Sequence, residues 1–172
     1  MFTRYDVEKY FVGEKQESLL FLLIGIAGIV TAGIFYFVLK TNFYNGASIP
    51  FLIIGLLLAI IGFTVYKKSD DDRQRNVYAY DMNPSVLKNK ELPRMKTVMK
   101  NFIVYRFTEI ILAATGIALF FYFRGNSDKF FWKGFGFALA VMALLALTTD
   151  FFAEKRGRIY VKGIESFTQG KA

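Results

Sequence analysis

The chain has 172 residues, 54% hydrophobic and 18% aromatic, with a formal net charge of +8 and neither cysteine nor histidine. That absence excludes thiol nucleophiles, disulfides, lipid-modified cysteines, a histidine general base and the usual zinc sites. In a soluble chain the basic balance would direct attention to nucleic acid. Here four apolar runs of bilayer length are present, so the enrichment of Lys and Arg in cytoplasmic segments of membrane proteins explains it more economically.

Residues 1–17 are polar and carry Arg4, Asp6, Glu8, Lys9, Glu14, Lys15 and Glu17. The stretch is too acidic for the basic region of a signal peptide, and the apolar run behind it is too long. It is therefore expected to be a retained cytoplasmic lead-in, interfacial or disordered.

The first span is expected over 18–39, capped by Ser18, with Gly25, Gly28 and Ala32 as a stripe of small residues suited to close helix packing. A short turn at 40–48 leads to a second span over 49–66, with Pro50 in its first turn, where the missing N–H costs little. Gly55, Ala59 and Gly62 form the matching stripe.

Residues 67–106 form the long polar segment. Asp70, Asp71 and Asp72 point in different directions on a helix, so they read as a solvated face rather than a metal or phosphate site. Asn83-Pro84 and Leu92-Pro93 mark 67–93 as an irregular, solvated connector. From Met95 the period turns helical, with Met95, Val98, Met99, Phe102 and Ile103 on one side and Arg94, Lys96, Lys100 and Arg106 elsewhere. A basic amphipathic helix over 94–106 is expected to lie on an anionic membrane surface or in a partner's groove.

A third span is expected over 107–123, with Glu109 near its start, and a fourth over 133–152, ending at Asp150. A short turn with Gly125 and Asn126 joins them, and 153–172 is a polar cytoplasmic tail. Eighteen of the 22 Lys and Arg fall in the two terminal segments and the long loop, which places all three in the cytoplasm. The two halves also resemble each other. Val7, Lys9, Phe11, Val12 and Lys15 align with Val98, Lys100, Phe102, Ile103 and Arg106 at an offset of 91 residues, which suggests a parallel tandem repeat and with it a helix over 1–17 matching the one from Arg94.

No ionisable residue lies near the centre of any span, which argues against a proton-coupled pump. Glu17, Arg106, Glu109 and Asp150 all cluster at one end, either as a polar vestibule or as snorkelling interfacial groups. No nucleotide, hydrolase, metalloprotease or head-group transferase motif is present. The sequence thus predicts an all-α polytopic membrane protein of four transmembrane helices in two hairpins, N-in and C-in. It is expected to be non-enzymatic, with no cofactor and no metal, and to sit in a bacterial inner membrane. It would act through its basic cytoplasmic face on membrane lipid, a protein partner or a second copy, as accessory and immunity proteins do, without contacting nucleic acid. The candidate binding residues are Arg94, Lys96, Lys100, Arg106, Glu109 and Asp150. The alternative is an oligomeric small pore or transporter with a hydrophobic gate.

Overall fold

The computed structural model describes residues 2–169. Met1, at the tip of the expected lead-in, and 170–172, at the end of the expected tail, lie outside the described residues. The fold is all-helical: α1 (Arg4–Ile34), α2 (Asn42–Met82), a single turn α3 (Pro84–Val86), α4 (Leu92–Tyr122) and α5 (Phe130–Gln169). Among the described residues, four helices are long and apolar enough to cross a membrane. The longest, α2, has 41 residues. At 1.5 Å per residue that is about 60 Å, roughly twice the hydrocarbon thickness.

The extra length gathers at the end that carries both termini, where the lead-in takes the helical form expected from the repeat and the expectations for connector and tail are corrected. The lead-in is helical from Arg4, started by a capping box in which Thr3 and Asp6 satisfy each other's backbone N–H groups. The connector 67–93 is not a solvated loop: α2 continues through it to Met82, because Ser69, Asp72, Asn76 and Ala79 repeat on one face and bury it. Asp72 is only 3% exposed, so the three aspartates are not one solvated face. The tail is helical to Gln169, burying Ala153, Gly157, Tyr160, Val161 and Ile164. Val7, Phe11, Ala79, Leu87, Met95 and Ile164 from these extensions form a core outside the apolar spans.

The prolines do not break the fold as expected. Pro84 starts α3 in its first turn, after Asn83 ends α2 at φ −146° and ψ 75°. Before Pro93 the helix widens into a π-turn, Leu87–Glu91, in which the Leu92 N–H donates to the Leu87 carbonyl. This single-turn bulge relieves the clash between a proline ring and the carbonyl four residues before it. Pro50 lies inside α2 rather than in its first turn, because the helix begins at Asn42. The first connection is correspondingly short. A π-turn, Phe35–Leu39, ends α1, and Lys40 follows in the left-handed region at φ 51°.

Glycine sets the packing. α1 runs along α2, α4 along α5, and α2 against α5. A Cβ on Gly62 would stand 2.5 Å from the Leu22 nitrogen, and one on Gly116 2.5 Å from the Ala140 nitrogen. Between α2 and α5 the contact is reciprocal: Gly46 abuts the Phe131 carbonyl, and Gly134 abuts the Phe43 carbonyl. Among the described residues no extended packing joins α4 to α1 or α2. That gap holds the candidate site.

Candidate functional site

Where the apolar spans meet the extended ends, all four long helices surround a cavity of about 470 Å³. Its apolar wall includes Phe21 of α1, Ile54, Leu58 and Ile61 of α2, and Leu112 of α4. Its polar wall is supplied by Glu14, Glu17, Arg94, Glu109, Asp150 and Arg156. An apolar pocket with a few convergent polar groups is the usual form of a small-molecule site.

Most of those charges have partners within the protein. Arg94 donates through Nε to Glu91 at 2.8 Å and through Nη2 at 2.7 Å. This bidentate pair neutralises a glutamate that is 3% exposed. Arg156 pairs with Glu17 and lies over the Tyr10 ring, 5.5 Å from its centroid. Tyr10 stacks on Tyr160 at 4.0 Å and donates its hydroxyl proton to Glu14 at 3.0 Å. The Ser69 hydroxyl stands 3.3 Å from the other Glu14 oxygen. Burial pushes the Glu14 carboxyl above its ordinary range, opposed by the Arg94 charge and the Tyr10 hydrogen bond. Burial likewise pushes the Tyr10 hydroxyl well up, and Glu14 adds to the shift.

Glu109 and Asp150 are the exception. Their carboxyls face each other within hydrogen-bonding reach. Glu109 Oε2 is buried with no donor among the described residues. Among the described residues neither acid has a Lys or Arg within ion-pair distance. These two acids therefore face a largely apolar space with no cationic side chain beside them.

The six candidate residues divide. Arg94, Glu109 and Asp150 converge on the cavity, joined by Glu17 from the expected vestibule. Arg106 turns away to Glu154 at 3.4 Å and lines a lateral crevice of about 400 Å³ between α4 and α5. Lys96 pairs with Glu165 at 2.8 Å. Lys100 is exposed, with no ion-pair partner among the described residues. Sequence reasoning missed Tyr10, Glu14 and Arg156. One signal was available: Tyr10, Glu14, Glu17 and Phe21 repeat at helical spacing across the boundary between lead-in and span.

The described residues contain no group of three or more His, Cys, Asp or Glu placed to hold a metal ion. Comparison with protein-family models, with curated protein sequences and with solved structures returns no match.

Proposed function

We propose that the chain is a non-enzymatic, multi-pass inner-membrane protein, with both termini cytoplasmic, that binds a small amphiphilic cation in the cavity among its four long helices. The observation that carries this reading is the Glu109–Asp150 pair. Two facing carboxyls with no neighbouring cation favour a shared proton or a bound positive charge. The apolar wall beyond them suits a hydrophobic substituent, and the Phe102 and Tyr105 rings on the same wall suit a cation. The concentration of Lys and Arg at the charged end supports the orientation. The reciprocal Gly46–Phe131 and Gly134–Phe43 contacts support a parallel relation between the two hairpins.

Equilibrium dialysis of the detergent-solubilised protein against tetraphenylphosphonium tests the reading. Saturable binding is expected, weakened at least about tenfold in the Glu109→Gln/Asp150→Asn double variant. Equal uptake by the two proteins overturns it.

A transport role for the same cavity is the second reading, favoured by shared walls. Phe102 and Asp150 line both the cavity and the lateral crevice. Tyr10, Glu17 and Arg156 line both the cavity and a groove on the outside of α1 and α5. Tetraphenylphosphonium flux into liposomes carrying the protein, above that of the double variant, would establish transport. Binding without flux would leave a receptor.

A further inference from the structure

Beyond the Glu17–Arg156 pair, a groove of about 910 Å³ runs between α1 and α5 along the extramembrane part of the bundle. Its lower end is Phe152, the last residue of the fourth span, and it climbs to Phe2 and Ser166. Its wall carries three acids and three lysines besides Arg156. All three acids are engaged. Asp6 accepts from the Thr3 backbone N–H at 2.8 Å and the Thr3 hydroxyl at 2.7 Å. Glu8 pairs with Arg4 at 3.1 Å, and Glu17 with Arg156. Lys9, Lys155 and Lys162 have no ion-pair partner among the described residues, and against the one acid without a cationic partner, Asp6, they leave the groove net positive. Beside them stand Tyr5, Val12 and Ile159, all exposed although they lie outside the spans.

We propose that this groove seats an anionic phospholipid. Its phosphate lies at Lys155, under the positive charge of Lys9 and Lys162, and its chains pass Phe152 into the bilayer. Lys155 stands three residues beyond the span, about 4.5 Å along the helix, within the headgroup layer. Lys9 and Lys162 stand further out, beyond direct reach of the phosphate, and add to the positive field above the headgroup. A zwitterionic lipid would bring its own cation against the lysines, whereas a net-negative headgroup is attracted by all three. The apolar side chains are continuous with the bilayer, which favours a lipid over a free anion.

The test uses the full-length protein in mild detergent, with native mass spectrometry reading lipid retained after mixing with equal amounts of phosphatidylglycerol and phosphatidylcholine. Wild type is expected to retain phosphatidylglycerol selectively. Lys9→Gln/Lys155→Gln/Lys162→Gln should lose that selectivity by roughly fivefold per lysine. The corresponding arginine triple should keep it, as should Lys67→Gln/Lys88→Gln/Lys90→Gln, which removes equal charge elsewhere on the charged end. If the glutamine triple fails to fold, Lys155→Gln alone carries the test with a fivefold loss. Equal retention of the two lipids by wild type overturns the proposal. So does unchanged selectivity in the glutamine triple, which would leave the groove to an acidic peptide. Displacement of the lipid by millimolar glycerol phosphate also overturns it and assigns the site to a soluble anion.

Discussion

Glu109 on α4 and Asp150 on α5 face each other across a helix pair whose backbones meet at Gly116 and Gly136. The glycine contact, two turns from Glu109, sets how closely the two helices approach. Removing one of the two acids should relieve the cost of burying two facing carboxyls. Glu109→Gln is expected to raise thermal stability by about 1 kcal/mol, or roughly 2–4 °C for a chain of this size. Differential scanning fluorimetry checks this. An equal or lower melting temperature would mean that the pair is already neutralised in the folded protein.

The reciprocal α2–α5 contact predicts a sharp contrast among glycines. A Cβ on Gly46 or Gly134 collides with a backbone carbonyl of the facing helix, which cannot yield as a flexible side chain would. Gly46→Ala and Gly134→Ala should each cost about 1–3 kcal/mol. Gly33 has nothing within 4 Å of its Cβ position. Gly33→Ala should be neutral or stabilising by up to about 1 kcal/mol, because alanine is the better helix former. Melting temperatures of the three variants side by side provide the comparison.

The pH dependence of stability should carry a signature of Glu14, which lies one turn outside the first span. Burial raises its folded-state pKa above the ordinary 4.5, so the folded protein holds the proton more tightly than the unfolded chain does. Its contribution to stability is therefore fully present below 4.5 and is lost as pH rises through the folded value. Glu14→Gln keeps the oxygen that accepts from Tyr10 but does not titrate. The variant should gain on wild type as pH is raised from below 4.5 to neutrality. Parallel stability curves would contradict the prediction.

The absence of native cysteine makes orientation directly measurable. A cysteine placed at Asn126, in the short connection between α4 and α5, should react with a membrane-impermeant maleimide in intact cells. One placed at exposed Ser85, beside the α2–α3 break, should react only after permeabilisation. The reverse pattern would invert the topology.

The four apolar helices were legible in the sequence because their hydropathy is a property of contiguous residues and needs no knowledge of neighbours. The extramembrane bundle was not. The face that α2 buries beyond the membrane is built from Ser69, Asp72, Asn76 and Ala79, whose small and polar side chains leave no apolar stripe to detect. The polar members of that face are compensated there: Lys68 and Arg75 pair with Asp72, Asn76 donates to the Asp72 carbonyl at 2.8 Å, and the Ser69 hydroxyl donates to the Val65 carbonyl. Asn83-Pro84 and Leu92-Pro93 read as an irregular region. In three dimensions the first pair is a helix start and the second is accommodated by a π-turn.

By itself, the sequence determined that Glu17, Arg106, Glu109 and Asp150 lie at one end of the membrane-crossing segments, because depth follows from position along an apolar run. Only the tertiary structure decided which of them meet. Rotation about each helix axis turned Glu17, Glu109 and Asp150 into a common cavity and sent Arg106 outward to Glu154. Those rotations are set by glycine-mediated contacts between helices. Such contacts pair residues far apart in the chain, so no local pattern encodes them.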